Sequence, residues 1–230
     1  MSRDLDKASG RADIDAFLKK VETTPSTGRG ARGRLIFAMD ATASRQSQWD
    51  QALHIQSEMF QAAEDLGGLD VQLIFYRGFG ECRASKWHSD PAELRRVMTR
   101  VQCLGGRTQI GKVLARAMQE TKAKPVQAVI FVGDCMEEDA DTLCHRAGEL
   151  GMLKTPLFMF QEGGEPIAAS TFRQMAKLSG GAYCPFNAAS ADALKELLRA
   201  VAVYAAGGRK ALADRSKGSR QVAGLLEQLK

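Results

Sequence analysis

The sequence predicts a doubly wound α/β domain: a mostly parallel six-stranded sheet with one antiparallel edge strand and helices on both faces. Three features of the chain predict it. Short, almost wholly apolar runs recur along it, amphipathic stretches of helical length separate them, and one pair of runs is joined by a link too short for a parallel crossover.

Residues 1–33 form a polar leader in which Asp13, Ile14, Phe17, Leu18 and Val21 repeat at helical spacing before the stop signal Thr24-Pro25-Ser26-Thr27-Gly28. One short helix and a linker are expected. The linker ends in GRGARGR, after which Leu35-Ile36-Phe37-Ala38-Met39 runs directly into Asp40. A run this short, with turn formers before it, reads as a strand buried on both faces. Runs at 71–76, 126–132 and 157–160 have the same character, and a weaker one lies at 182–186. Between them, amphipathic stretches at about 46–66, 91–102, 110–121, 139–150, 168–178 and 190–205 are long enough for helices. The run at 81–87 follows Tyr76-Arg77-Gly78-Phe79-Gly80, a turn-rich link that predicts an antiparallel hairpin at the sheet edge. After Tyr204 the composition shifts to GGRKALADRSKGSR and then to Val222, Leu225, Leu226 and Leu229 at helical spacing. The chain therefore divides into a helix and linker at 1–33, a domain at 34–205, and a basic linker with a short amphipathic helix at 206–230.

Apolar residues at 44% and charged residues at 26% are ordinary for a globular chain and exclude wholesale disorder. No apolar run approaches the roughly 20 residues needed to span a bilayer, and the charged start MSRDLDKASGRADIDAF lacks a secretory h-region. Five cysteines without CxxC spacing point to reduced thiols, so the cytoplasm is expected. The net charge of +5 comes from basic residues interleaved with acids, which reads as a solvated surface, with neither nucleic acid nor membrane as partner.

In a doubly wound sheet, ligands gather outside the carboxyl ends of the strands, where strand order reverses. Three polar segments fall at such ends: Asp40-Ala41-Thr42-Ala43-Ser44, Gly105-Gly106-Arg107-Thr108, and Gly133-Asp134. Their donors are two carboxylates and three hydroxyls, a hard oxygen set suited to Mg²⁺ or Mn²⁺ rather than zinc. Alternation in DATAS directs residues 40, 42 and 44 toward one point with small alanines between them, while Gly105 and Gly106 allow close backbone approach.

Over roughly residues 34–205 these segments resemble the Rossmann-like von Willebrand factor A (VWA) family, including the integrin inserted domains. The family's metal-ion-dependent adhesion site (MIDAS) reads D-x-S-x-S, then Thr after a glycine-rich loop, then Asp after a later strand. Asp40, Thr42, Ser44, Thr108 and Asp134 stand in those places in order. The resemblance implies that Thr42 and Ser44 coordinate the metal directly, that Asp40 acts through water or orients the shell, and that Thr108 ligates in an open state. Asp134 would lie behind the ligands, and a partner protein would supply a carboxylate to the vacant position. Thr42 stands where the family has Ser, and Gly133-Asp134-Cys135 stands where it often has Thr-Asp-Gly. The implied function is a metal-dependent protein-binding module, not an enzyme, with no oligomeric state specified.

Two other readings stay open. A haloacid dehalogenase-like phosphatase would use Asp40 as nucleophile and Asp134 with Asp139 as its metal element, but Thr42 occupies the place of the general acid it needs. A VWA scaffold that binds no metal is the other. Neither a G-x-S-x-G elbow nor a Walker A loop is present, and His54, His88 and His145 fall within or beside predicted helices. Trp49 and Trp87 are expected to pack against the sheet, Cys135 to be a small buried residue, and Arg107 to be solvated or to steer an acidic partner.

Overall fold

The computed structural model describes residues 13–17, 19–20, 32–186 and 191–218. Its strands are β1 (Gly33–Asp40), β2 (Leu69–Arg77), β3 (Glu81–His88), β4 (Ala128–Gly133), β5 (Leu157–Glu162) and β6 (Ala182–Phe186). The helices are α1 (Gln46–Ile55), α2 (Ser57–Ala63), α3 (Pro91–Met98), α4 (Ile110–Ala123), α5 (Ala140–Met152), α6 (Pro166–Ser179) and α7 (Ala191–Gly218). The strands lie in the order β3-β2-β1-β4-β5-β6. Every pairing is parallel except β2 with β3, the predicted edge hairpin.

Period-two alternation along β1 builds two cores from one strand. Leu35, Phe37 and Met39 join the apolar cluster beneath α1, α2, α3 and α7, while Ile36 and Ala38 join the cluster beneath α4, α5 and α6. Helices therefore cover both faces, which is why the strand reads as a continuous apolar run. The helical segment at 13–17 belongs to the first layer: Phe17 meets the rings of Phe158 and Phe160 edge-on at centroid distances of 6.0 and 5.2 Å. Trp49 packs edge-on against Phe75 and donates its indole N–H to the Met98 carbonyl at 3.1 Å. Trp87 is half-buried, with the Arg34 guanidinium 3.8 Å above its ring. At Gly33 any Cβ would lie 2.5 Å from the Ala205 carbonyl oxygen, so α7 rests directly on the β1 backbone.

Two expectations are corrected. The helix predicted over 91–102 ends at Met98, where Thr99 returns its hydroxyl to the Arg95 carbonyl at 2.7 Å and the chain turns toward the sheet rim. The linker predicted from residue 206 is helical to Gly218, interrupted only by Gly208 at φ 69°. Alanine, lysine and arginine around that glycine are good helix formers, and one left-handed residue kinks the helix without ending it. The rest of the leader linker at 21–31 and the predicted terminal helix carrying Val222, Leu225, Leu226 and Leu229 lie outside the described residues. Among the described residues, no helix is long and apolar enough to cross a membrane. The five cysteines are all free thiols.

Strand order reverses between β1 and β4. Their carboxyl ends, Asp40 and Gly133, are neighbours at the switch point.

Candidate metal centre at the carboxyl edge of the sheet

Asp40 closes β1 and is 1% exposed. Its Oδ1 accepts the Thr42 N–H at 2.7 Å, which folds the turn back on the strand, while Oδ2 makes no well-formed hydrogen bond. Burial raises the pKa of this carboxyl, the Thr42 bonds oppose the rise, and the nearby Asp134 charge adds to it. Tyr76, opposite Asp40 in the β1–β2 register, is fully buried, with its hydroxyl facing the Asp40 carboxylate. Burial first and the Asp40 charge second push its pKa well above the ordinary range.

The turn continues with Thr42 Oγ1 and Ser44 Oγ 3.5 Å apart. Asp134 stands one residue past β4 beside Asp40: a Cβ built on Gly133 would be 3.9 Å from the Asp40 Cβ. Its buried Oδ1 likewise makes no well-formed hydrogen bond. The glycine-rich loop is held to the first turn, because the Leu104 N–H donates to the Ala41 carbonyl at 3.0 Å. Gly106 lies against the edge hairpin, where a Cβ would sit 2.0 Å from the Gly78 carbonyl oxygen, so the close approach expected of this loop is made to the hairpin backbone. Thr108 is 7% exposed, and its hydroxyl accepts the Glu137 N–H at 2.9 Å while its own N–H donates to Glu137 Oε2 at 3.1 Å. The structure thus brings the 40–44 turn and Asp134 together. Thr108 is joined to them through its loop, with its hydroxyl engaged by the segment after β4.

Several polar residues here were not singled out in the sequence. Arg45, directly after the DATAS turn, has a side chain only 3% exposed, ion-paired to Glu162 at the end of β5 and 3.7 Å from Asp134 Oδ2. Gln48 donates to the other Glu162 oxygen at 2.5 Å. Glu138 accepts the N–H groups of Ile110 and Gly111 at 2.5 and 2.8 Å, capping α4 where Gln109 makes no side-chain cap. The Arg45–Glu162 pair spans 117 residues, so no local pattern could have marked it. A cation directly following D-x-T-x-S was the one available signal.

The fit to a metal rests on donor chemistry. Among the described residues, no cluster of three or more His, Cys, Asp or Glu side chains is arranged to hold one. The candidate set instead combines two carboxylates with neutral hydroxyls, and two of its oxygens, Asp40 Oδ2 and Asp134 Oδ1, are buried acceptors without a well-formed hydrogen bond, the Tyr76 hydroxyl facing Asp40 and the Cys135 thiol facing Asp134. That set suits a hard cation. Arg45 opposes it by placing a fixed positive charge near Asp134.

Asp139, the further acid of the phosphatase reading, caps α5 by accepting the Thr142 N–H and hydroxyl at 2.8 and 2.6 Å, bonds that lower its pKa. Cys135 is half-buried, and burial together with Asp134 pushes its thiol up to about 12, which favours the protonated form. Arg107, His54 and His145 are exposed, whereas His88 is buried with Nδ1 3.3 Å from Glu93 Oε2.

No family model matches this sequence, and no curated protein matches it either. Solved structures do match. A von Willebrand factor type A protein from Catenulispora acidiphila aligns with 77% of this chain at a TM-score of 0.63 and 17% identity, and 43% of that longer chain is covered. The SpRpn10 VWA domain aligns with 68% of this chain at 0.54 and 12% identity, with 88% of the domain covered. Proximal thread matrix protein 1 from the mussel byssus, with a zinc-occupied MIDAS motif, aligns with 76% of this chain at 0.57 and 16% identity, over 46% of that protein. With its six strands in this order, its single antiparallel edge and these neighbours, the chain has the fold of the von Willebrand factor A domain.

Proposed function

We propose that this chain is a metal-dependent protein-binding module in which Asp40, Thr42, Ser44, Thr108 and Asp134 present Mg²⁺ or Mn²⁺ to a carboxylate of a partner protein. The observation that carries this reading is the pair of buried carboxylate oxygens at the switch point that make no well-formed hydrogen bond, on the same rim as two hydroxyls 3.5 Å apart. A bound divalent ion supplies electrophilic character, and neutral hydroxyls as its direct ligands leave that character undiminished for an incoming acid. Thr42 and Ser44 are assigned direct contact, Asp40 orients the shell, Asp134 stands behind it, and Thr108 completes it when its loop shifts. The zinc-occupied MIDAS of the mussel protein supports a divalent cation in this kind of fold without selecting the ion. A reducing, cytoplasmic setting is part of the proposal, supported by five free thiols.

Binding is preferred over phosphate-ester hydrolysis because Thr42 offers no general acid and Asp139 is committed to capping α5. The metal-free scaffold has one observation in its favour, the Arg45 charge beside Asp134.

Calorimetric titration of Mg²⁺ into the wild type and Asp40→Ala tests the reading. Saturable binding by the wild type and none by the variant is the expected result, with stability rising by about 2.7 kcal/mol at a hundredfold excess over Kd. Equal binding by both proteins overturns the site. No binding and no thermal shift in the wild type supports the scaffold.

A further inference from the structure

We infer that the partner segment carries a large apolar side chain next to its metal-seeking carboxylate, and that Phe79 and Leu104 form the surface that receives it. This rests on the metal-dependent reading and adds the identity of what flanks the acid.

Phe79, at the tip of the β2–β3 hairpin, is 84% exposed, and Leu104, at the start of the glycine-rich loop, is 45% exposed. They come from separate segments but share one rim, because the Gly78 N–H donates to the Leu104 carbonyl at 3.4 Å and the Arg107 N–H donates to the Gly78 carbonyl at 3.1 Å. The same loop reaches the metal candidate, since Leu104 N–H is bonded to Ala41, the residue between Asp40 and Thr42. The backbone that carries Leu104 is therefore tied directly to the 40–44 turn.

The tip is also fixed. Gln109 donates to the carbonyls of Arg77 and Gly78 at 3.2 and 3.3 Å, Lys112 Nζ to that of Gly80 at 2.8 Å, and Arg77 Nη1 to that of Gln102 at 2.8 Å. Isolated exposed apolar residues are common and carry no meaning. Here two are carried by hydrogen-bonded segments of one braced rim whose loop is tied to a buried polar site, the pattern of a binding surface. Charge selects the occupant: Arg77, Arg83, Lys112 and exposed Arg107 surround the tip, with Glu81 held by Arg77 and Arg83. An acidic peptide with a flanking leucine or phenylalanine matches both the sign and the apolar patch.

Three capped peptides test this on the full chain by NMR titration in millimolar Mg²⁺: Gly-Leu-Asp-Leu-Gly, Gly-Ser-Asp-Ser-Gly and Gly-Leu-Asn-Leu-Gly. The first is expected to bind about tenfold more tightly than the second, a difference of about 1.4 kcal/mol, and the third not at all. Phe79→Ser, with Leu104→Ser as a second variant, removes the preference while leaving the thermal midpoint unchanged, because both side chains are exposed. No preference in the wild type, a preference that survives Phe79→Ser, or no binding by any peptide overturns the inference. A preference lost in Phe79→Ser yet indifferent to chelator and to Asp40→Ala upholds the apolar surface and overturns the metal reading. Phe79-dependent sedimentation with phosphatidylserine vesicles in place of peptide binding overturns it in favour of a lipid surface.

Discussion

Arg45→Met is expected to destabilise the fold by about 3–5 kcal/mol, the range for removing one member of a buried ion pair. Arg45 and Glu162 have side chains only 3% and 10% exposed, and Asp134 lies on the other side of the guanidinium. Removing the cation leaves the buried Glu162 carboxylate without its ion-pair partner, with Gln48 as its remaining hydrogen-bond donor among the described residues. For a domain of this size the thermal midpoint should fall by roughly 6–20 °C. Glu162→Gln added to Arg45→Met should recover much of the loss, because the orphaned charge goes while the Gln48 contact retains an oxygen acceptor. Denaturation of the four proteins of this cycle checks both claims, and an unchanged midpoint in Arg45→Met contradicts them. The same variant should bind Mg²⁺ more tightly than the wild type, since a positive charge 3.7 Å from Asp134 is gone.

Asp40→Asn should act in the opposite direction on the metal-free protein, raising its stability by about 1–3 kcal/mol. The wild-type carboxylate is buried, so its charged form is the costly one. The sign follows from the raised pKa. The folded state holds this proton more tightly than the unfolded state, so the contribution is present below the ordinary carboxylate pKa and is lost as pH rises through the raised value. The stability difference between Asp40→Asn and the wild type should therefore widen from acid to neutral pH without metal. With excess Mg²⁺ the order should invert, because only the wild type gains from the cation. Urea denaturation of both proteins, with chelator and with Mg²⁺, measures this. A destabilised Asp40→Asn in chelator contradicts it.

That pair of effects explains which parts of the protein could be read from sequence. β1, β4 and β5 were legible because strands covered on both faces are apolar throughout, and the hairpin because Gly78-Phe79-Gly80 leaves no room for a crossover. The ends of α3 and α7 were not, because they depend on what the chain meets next. Thr99 closes α3 so that the loop can reach Ala41, and Gly208 bends α7 where local propensity favours helix on both sides. Within the site, Asp40, Thr42 and Ser44 were legible as one contiguous turn. Arg45 follows them immediately and is not legible as part of the site, since a charged residue carries no mark of burial until its partner on β5 is in place. Thr108 was recognised by its glycine-rich loop, but its hydroxyl's tie to Glu137 depends on how the segment after β4 folds back.

The most direct measurement is the paramagnetic broadening of backbone amide signals by substoichiometric Mn²⁺ in the full chain. Selective loss of signals from 40–45, 105–109 and 133–135, reversed by Mg²⁺ and absent in Asp40→Ala, is the predicted result. Broadening centred on exposed acids such as Asp139 and Asp141, or the same pattern in Asp40→Ala, would contradict a cation held at the switch point.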